Sequence, residues 1–308
     1  MNIERVFVSG GTGLVGRNLT DMLSASGLEF FAPSSGEVNL LDAKPVFKAL
    51  EAYRPDLIIH CAGTVGGIAA NVAEPYSYCD QNTQMGLNLV RASKDLHIKN
   101  LINLGSSCMY PAEARNPLKE SAILTGILEQ TNEGYALAKI ITSRLCDYVS
   151  RQYGLSYKTI IPCNLYGRYD HFDPFRSHLI PGAILKIHKA VADQKQEVVI
   201  WGDGRSRREF MYAGDFAAFL MFAINRFDDL PHTMNVGLGI DYSVNEYYAE
   251  IAKVVGYTGA FLHDVSQPAG MKQKLVDVTA QRSLGWMPTT SLFHGLQNTY
   301  EFMKEANI

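Results

Sequence analysis

Residues 5–16 read RVFVSGGTGLVG, and this stretch decides the fold. Its first half is a short apolar run that predicts a β-strand. Its second half carries four glycines, of which Gly10, Gly13 and Gly16 are each separated from the next by two residues. Apolar residues at helical spacing follow in residues 14–23 and predict a helix. Strand, glycine turn and helix in this order are typical of the first unit of a dinucleotide-binding sheet.

Each of the three glycines has a physical task in such a turn. The first allows a tight turn, the second lets the backbone approach a pyrophosphate, and the third permits close packing of helix against strand. The amino terminus of the helix then faces the anion and stabilises its charge. A glycine turn alone can be a mere connection, but because this one directly follows the first strand it predicts a bound dinucleotide.

The end of the second predicted strand bears on which dinucleotide binds. NAD sites usually place Asp or Glu there to bind the ribose hydroxyls, but residues 33–36 read PSSG. The hydroxyls of Ser34 and Ser35 can bind a 2′-phosphate, although no arginine stands beside them in the sequence. The missing acid favours NADP, and we therefore expect NADPH as the cofactor.

Short apolar strands alternate with long helices through the first half of the chain. Because such strands are buried on both faces, they predict an α/β fold with a parallel, doubly wound sheet of the Rossmann type. The predicted strands of this sheet are residues 5–9, 29–33, 57–62, 101–105, 157–161 and 234–236, and the two longest predicted helices are 78–96 and 133–153.

The regular alternation ends near Leu165. Residues 167–181 are rich in His, Asp, Phe and Arg without a clear period, which predicts a loop that lines a site. Further helices are predicted at 182–192, 215–225 and 244–255, and further strands at 197–201 and 209–212. We expect a Rossmann domain of residues 1–166 plus about 213–240, and a smaller, discontinuous substrate-binding cap domain of about 167–212 plus 241–308.

Charge and composition exclude several classes of function. The chain has 308 residues, with 28 Lys and Arg against 31 Asp and Glu and a net charge of −3, which provides no basic surface for nucleic acid or an anionic membrane. Its five cysteines form no CxxC pair, which argues against a disulfide framework and against a metal site. The sequence presents no signal peptide or membrane span, so we expect a soluble, cytoplasmic protein.

Two residues of one predicted helix form a candidate catalytic pair. Tyr135 and Lys139 are four residues apart, so both side chains lie on one helix face, one turn apart. The ammonium is expected to lower the pKa of the tyrosine, which would then donate a proton to a carbonyl group. Ser106, at the end of the fourth predicted strand, can bind the same oxygen. Tyr and Lys at this spacing are often only a solvated helix face, but the glycine turn and the serine favour catalysis.

With these motifs the sequence resembles the extended short-chain dehydrogenase/reductases, and within them the branch that epimerises and reduces GDP-4-keto-6-deoxymannose. The resemblance runs nearly end to end. Besides residues 10–16, it rests on VGGI with Asn71, LGSSCMYP, TNE before Tyr135, NLYG, SHLIP, WGDG, REF and KLVDV, at residues 65–68, 104–111, 131–133, 164–167, 177–181, 201–204, 208–210 and 274–278.

The resemblance implies a role for each of five catalytic residues. Ser106, Tyr135 and Lys139 are expected to serve the reduction, in which NADPH delivers hydride to C4 of the keto-sugar and the tyrosine protonates the oxygen. Cys108 and His178 are expected to act as the base and acid that epimerise C3 and C5 beforehand, giving GDP-fucose or a close relative. The residue types support the roles of Cys108 and His178 only in part, because a thiol must be activated by its site to act as a base. Lone Cys and His residues are also more often structural.

The resemblance also implies the binding residues. Those for the cofactor are Gly10, Gly13, Leu14, Val15, Gly16, Ser34, Ser35, Asn39, Leu40, Tyr135, Lys139, Pro162, Asn164 and Leu165. Those for the GDP-sugar are Ser107, Asn164, Lys186, Trp201, Arg208 and Lys274, with Arg208 and Lys274 as cations for the diphosphate and Trp201 as a stacking surface. Arg205 and Arg207 are expected to be only solvated. A homodimer through the two longest helices is also implied.

Several alternatives stay open at this level. Residues 167–173 read GRYDHFD and depart from the family pattern in a loop expected to contact the sugar, so a GDP-4-keto-heptose or another 4-keto sugar is also a candidate substrate. A protein that only reduces C4 after a separate epimerase can keep Cys108 and His178. A regulator that binds the dinucleotide without turnover usually loses the tyrosine or the lysine. A dehydratase or simple 4-epimerase shares the fold, but a dehydratase needs an acid beside the catalytic serine, where this chain has Ser107.

Overall fold

The computed structural model describes residues 3–174, 176–267, 271–306 and 308. The strands are β1 (Arg5–Ser9), β2 (Glu29–Phe31), β3 (Leu57–His60), β4 (Asn100–Leu104), β5 (Ser156–Pro162), β6 (Asn164–Tyr166), β7 (Glu197–Trp201), β8 (Arg207–Arg208), β9 (Phe210–Tyr212), β10 (Thr233–Val236), β11 (Tyr242–Ser243), β12 (Ala260–Asp264) and β13 (Gln273–Lys274). Six of them form the central sheet, in the order β10-β5-β4-β3-β1-β2. Every neighbouring pair in this sheet is parallel, which confirms the predicted α/β fold.

The helices lie between or after these strands in the sequence. They are α1 (Leu14–Ser26), α2 (Ala43–Tyr53), α3 (Ile68–Ala73), α4 (Pro75–Asp95), α5 (Glu133–Tyr153), α6 (Leu179–Ala192), α7 (Ala213–Asn225), α8 (Val244–Val255), α9 (Thr279–Ser283) and α10 (Leu292–Glu305). Short 3-10 turns span Ser107–Met109, Glu120–Ala122, Gln130–Asn132 and Phe227–Asp229. Within the described residues, no helix combines the length and the apolar character needed to cross a membrane.

Both faces of the central sheet are buried. Successive residues of a strand point to opposite faces, and β1 shows this directly. Val6 is buried in a cluster that includes Leu19 of α1, whereas Phe7 is buried in a second cluster with Leu50 of α2 and Leu89 of α4. Because both faces are covered, the strands are continuous apolar runs, and this is why they could be recognised in the sequence.

A third cluster of buried residues lies in the second half of the chain. It includes Ile184 of α6, Tyr247 of α8 and Leu296 of α10. Three small sheets accompany it, in the orders β11-β8-β13, β12-β7 and β6-β9. Between these segments the chain returns to the central sheet, where β10 pairs with β5, and this confirms the strand predicted at 234–236. The boundaries of the two domains stay a prediction.

Several elements differ from the sequence-based expectation. Helices α2 and α10 were not expected, although each begins with a recognisable capping residue. The Asp42 side chain accepts a hydrogen bond from Lys44 N before α2, and Ser291 accepts one from His294 N before α10. Helix α4 begins at Pro75 rather than residue 78, because proline is tolerated in a first helical turn.

The strand ends place the candidate functional residues together. Strand β1 ends directly before Gly10, β4 ends two residues before Ser106, and β5 ends at Pro162. Because all strands of this sheet are parallel, their carboxyl ends lie along one edge of the sheet, where ligands bind in open α/β folds.

Candidate active site

The glycine turn after β1 forms a cradle at the start of α1. Gly10 has a φ of 71°, in the left-handed region that favours glycine, and its carbonyl oxygen accepts a hydrogen bond from Gly13 N at 3.0 Å. A Cβ atom on Gly16 would overlap the same oxygen. Among the described residues, a Cβ atom on Gly13 would approach only the Gly10 oxygen, at 3.5 Å. The side of Gly13 is therefore open, and a phosphate group can come close to the backbone there.

The turn after β2 holds an acid that the sequence argument missed. The Glu37 carboxylate accepts hydrogen bonds from Ser34 N and from Ser34 Oγ, each at 2.8 Å. These two bonds lower the pKa of Glu37. The Ser34 donors expected to be free for a 2′-phosphate are thus bound by the protein's own carboxylate. The acid stands one residue beyond the stretch 33–36, so a longer reading of the sequence would have found it.

Neighbouring elements fix the other cofactor candidates. The Asn39 side chain accepts a hydrogen bond from Leu41 N at 3.0 Å, and Leu40 O accepts one from Asn88 Nδ2 of α4 at 2.8 Å. Asn164 Nδ2 donates to the backbone oxygen of residue 209 at 3.0 Å. The remaining candidates are Leu14 and Val15, which begin α1, Ser35 in the turn after β2, Pro162, which ends β5, and Leu165 in β6.

Lys139 is a buried ammonium group beside the end of β4. Its side chain is only 6% exposed, and its Nζ atom donates a hydrogen bond to Leu104 O at 3.0 Å. The same atom lies 5.8 Å from the centroid of the Tyr135 ring. Burial lowers the pKa of Lys139 to about 8. A buried charge is unfavourable in itself, and a buried amine with a lowered pKa is typical of a functional group.

Tyr135 differs from the expectation in its acidity. Burial raises the pKa of the phenol well above its ordinary value, the charge of Cys108 raises it further, and a hydrogen bond to Ser106 opposes the rise. The expected lowering of this pKa by Lys139 is therefore wrong for this structure, because desolvation is the largest effect. The consequence is that Tyr135 is a protonated phenol at neutral pH, the form that can donate a proton.

Ser106 connects the end of β4 to both candidate reaction centres. It precedes the 3-10 turn of Ser107–Met109, and its Oγ atom accepts a hydrogen bond from Cys108 N at 3.2 Å. The same residue also lowers the pKa of Tyr135, so the two side chains are neighbours. Ser107 is 2% exposed, so it is enclosed within this turn. One serine is thus a neighbour of both the candidate proton donor and the candidate base.

The Cys108 thiol receives two nitrogen donors from distant parts of the chain. Asn132 Nδ2 lies 3.2 Å from Sγ, and Lys274 Nζ lies 3.5 Å from it. Arg208 is a further neighbour of Cys108. Burial lowers the pKa of Arg208, and the nearby charges of Cys108 and Glu129 oppose that change. The sulfur therefore lies within reach of two N–H donors, one of them on a cation.

His178 lies near the same lysine. Burial lowers the pKa of His178, and the positive charges of Lys274 and His171 lower it further. Its loop is held by the turn after β3, where Gly67 N donates to Arg176 O at 3.0 Å. Lys274 therefore neighbours both Cys108 and His178. Its expected contact with a diphosphate stays a prediction.

The other substrate candidates lie in the second half of the chain. Trp201 is 50% exposed, and Lys186 Nζ lies 5.8 Å from the centroid of one of its rings. Arg208 is aligned with Lys274 where β8 and β13 pair. The expectation that Arg207 is only solvated is wrong, because its guanidinium is ion-paired with Asp241 at 2.7 Å and with a second carboxylate on α8.

The residues that depart from the family pattern after β6 contact the first helix. Arg168 O accepts a hydrogen bond from Asn18 Nδ2 at 3.0 Å, and Tyr169 OH donates to Asp21 at 2.8 Å. The Tyr169 ring also packs under the guanidinium of Arg17, whose Cζ lies 4.0 Å from the ring centroid. These two residues anchor the loop to α1, and the expected contact of the loop with the sugar stays a prediction.

The chain is similar to known proteins in sequence and in fold. The model of the NAD dependent epimerase/dehydratase family matches residues 6–237. The chain is 48% identical over 305 residues to the GDP-L-colitose synthase of Yersinia pseudotuberculosis, covering 98% of this chain and 99% of that protein. It is 46% identical over 304 residues to the GDP-L-fucose synthase of Azorhizobium caulinodans, covering 99% and 97%. MlghC, a GDP-mannoheptose C4 reductase from Campylobacter jejuni solved with NADP bound, is similar with a TM-score of 0.88 and 28% identity over 99% of each chain.

Proposed function

The chain belongs to the NAD dependent epimerase/dehydratase family, and on that premise we propose that it is an NADPH-dependent oxidoreductase acting on a GDP-linked 4-keto-6-deoxy sugar. It epimerises the sugar at C3 and C5 and reduces the C4 ketone, giving GDP-fucose or a close relative. The observation that carries this proposal is the position of Ser106, whose hydroxyl accepts a bond from the Cys108 backbone and whose side chain lowers the pKa of the neighbouring Tyr135. Proton donor and base are thereby held around one reacting centre.

The residues of the glycine turn fit a dinucleotide. The open side of Gly13 and the amino terminus of α1 suit a pyrophosphate, and Lys139 suits the ribose next to the nicotinamide. When bound, NADPH supplies the hydride for C4. The name of the MlghC structure, which includes NADP, supports this choice of cofactor.

Three residues serve the reduction of the ketone. The Ser106 hydroxyl binds the C4 oxygen, and the Tyr135 phenol donates its proton to that oxygen as the alcohol forms. The raised pKa of Tyr135 keeps it protonated before the reaction. The buried ammonium of Lys139 then stabilises the phenolate that remains, since opposite charges interact strongly away from water.

Two residues serve the epimerisation. The Cys108 thiolate removes a proton from the carbon next to the ketone, and the resulting enolate is stabilised because its charge spreads to the C4 oxygen near Ser106. His178 returns a proton to the other face. Lys274 supports this assignment, because it donates to Cys108 Sγ and its charge also reaches His178.

The remaining candidates bind the GDP part of the substrate. We propose that Trp201 stacks on an apolar face of the ligand, since half of its surface is exposed. Arg208 binds the diphosphate, because a guanidinium can contact two phosphate oxygens at once. Asn164, Ser107 and Lys186 complete the proposed pocket. The ion-paired Arg207 is left out of it.

The reduction is tested by incubating the protein with GDP-4-keto-6-deoxymannose and NADPH and following the loss of NADPH absorbance. We expect turnover in the wild type and a loss of about 100-fold or more in Tyr135→Phe, the range usual for a general acid. Unchanged cofactor affinity in the variant is the control. A wild type that oxidises no NADPH with any GDP-4-keto sugar would refute the proposal, and a phenylalanine variant with full activity would remove the assigned role of Tyr135.

A second candidate is a C4 reductase that acts after a separate epimerase. It is favoured by the similarity to MlghC, which is named a GDP-mannoheptose C4 reductase. Running the reaction in deuterated water separates the two, because epimerisation brings solvent deuterium to C3 and C5. A product without label, or faster turnover of a GDP-4-keto-heptose, would establish the second candidate instead.

We also propose that the protein acts in the cytoplasm as a homodimer through α4 and α5. The two helices pack against each other and still expose apolar side chains, including Leu137 and Ile141, each 39% exposed, and Tyr148, 52% exposed. A second copy would cover them. Light scattering is expected to give twice the monomer mass, and Ile141→Glu is expected to shift it to the monomer; a monomeric wild type would contradict this proposal.

A further inference from the structure

We propose that Asn132 is a positioning residue for Cys108, whose side-chain amide donates to the sulfur and holds it as a directed thiolate. This inference rests on the proposed role of Cys108 as the base of the epimerisation. It adds a residue to that role, since Asn132 is neither a catalytic nor a binding candidate from the sequence.

The position of Asn132 makes its side-chain contact unexpected. The residue directly precedes α5, a position where asparagine normally accepts a hydrogen bond from the first helical turn. Here the Asn132 side chain makes no such capping bond. Its Nδ2 atom is instead directed to Cys108 Sγ, at 3.2 Å. The amide has thus exchanged the common structural contact for one with the thiol.

The other end of the same amide supports a functional reason. The Oδ1 atom of Asn132 is buried and has no hydrogen-bond partner within the part of the chain that the structure describes. Leaving a buried acceptor unpaired is unfavourable for folding, so stability alone does not account for an asparagine here. The donor at Nδ2 is the part of the side chain that the site uses.

The remaining contacts of Cys108 show what this donor adds. Lys274 Nζ approaches the sulfur at 3.5 Å from β13, and Ser106 Oγ fixes the Cys108 backbone N–H at 3.2 Å. Asn132 supplies the second donor to Sγ, from the start of the helix that carries Tyr135. Two N–H donors aimed at sulfur stabilise the anion more than the neutral thiol, because hydrogen bonds to charged acceptors are stronger. Together they also fix the direction of the sulfur lone pairs.

Two substitutions separate this role from helix capping. Aspartate caps a helix as well as asparagine does, but Asn132→Asp removes the N–H donor and places a negative charge beside the sulfur. If Asn132 only caps the helix, the aspartate variant should behave as the wild type. If Asn132 is a donor to the thiolate, the alkylation rate of Cys108 should fall strongly. Asn132→Ala removes the donor without adding charge, and it keeps the inference testable if the aspartate variant does not fold.

The direct test measures alkylation of Cys108 by iodoacetamide in the free protein at neutral pH, with the modified peptide identified by mass and Cys108→Ala as the blank. We expect the rate to fall at least tenfold in Asn132→Asp and severalfold in Asn132→Ala. Thr131→Ala is the matched control, since Thr131 contacts Glu129 at the same helix start and is expected to leave the rate unchanged. Wild-type alkylation rates in both Asn132 variants would overturn the inference.

The catalytic test compares two readouts in the folded Asn132→Ala variant. Deuterium exchange at C3 and C5 is expected to fall in parallel with alkylation, while reduction of an already epimerised ketone by NADPH stays within about twofold of the wild type. Equal losses in both readouts would overturn the inference, because Asn132 would then act through the start of α5 on Tyr135. If the wild type shows no exchange at all, the proposed epimerase function fails, and the alkylation series still decides whether Asn132 stabilises the thiolate.

Discussion

Replacing Lys139 by methionine removes a buried charge, and the structure gives the size of the effect. Burial lowers the pKa of this ammonium from its ordinary value of 10.5 to about 8, so between these pH values the unfolded chain binds more protons than the folded one. The free energy of unfolding of the wild type therefore rises with pH across this window. At about 1.36 kcal/mol per pH unit, the gain between pH 7 and pH 10 is about 2.5 kcal/mol. The Lys139→Met variant lacks this gain.

The measurement is urea unfolding of both proteins at several pH values from 7 to 10, followed by circular dichroism. The unfolding free energy of the wild type minus that of the variant is expected to increase by about 2.5 kcal/mol from pH 7 to pH 10. Other titrating groups cancel because both proteins contain them. Leu145→Met on the same helix, a volume-conserving change without a titrating group, is the control and should give a constant difference. If the unfolding free energies of Lys139→Met and the wild type change in parallel with pH, the reasoning that a buried ammonium is held here is refuted.

Two glycines of the first turn and the acid after β2 give further predictions. Gly16→Ala is expected to destabilise the fold by about 1–3 kcal/mol, because its methyl group would overlap Gly10 O. Gly13→Ala is expected to keep the thermal midpoint of the wild type and to weaken NADPH binding. Equal thermal midpoints for the two variants would contradict this. Glu37→Gln is expected to lower the KM for NADPH about three- to tenfold relative to NADH, since it removes the charge that competes with the 2′-phosphate for the Ser34 donors. An unchanged ratio of the two KM values would show that the 2′-phosphate binds elsewhere.

Much of the fold could be predicted because its signals are local. A strand such as β3, at Leu57–His60, is buried along its whole length, so it stands out as an apolar run. The relation of Tyr135 to Lys139 follows from helix geometry alone. The need for glycine at position 16 is likewise local, because a Cβ atom there would overlap the Gly10 oxygen six residues earlier.

The surroundings of Cys108 could not be predicted in the same way. Lys274 is 166 positions away in the sequence, and it reaches the thiol only because β13 pairs with β8. Asn132 would be read as a helix cap from its position, since nothing in the sequence indicates that its amide turns to sulfur. The acidity of Tyr135 also depends on burial, which the spacing of two residues does not reveal.

The anchoring of the loop after β6 has a consequence for engineering. Arg168 and Tyr169 are tied to Asn18 and Asp21 of α1, while the far end of the loop, at Arg176, is tied to Gly67. A graft of this loop from a relative would place a new side chain at position 169 against Asp21. The bonds to the oxygens of residues 168 and 176 use only the loop backbone. Chimeras that exchange this loop should therefore exchange residue 21 with it, because the loop is joined to that side chain of α1.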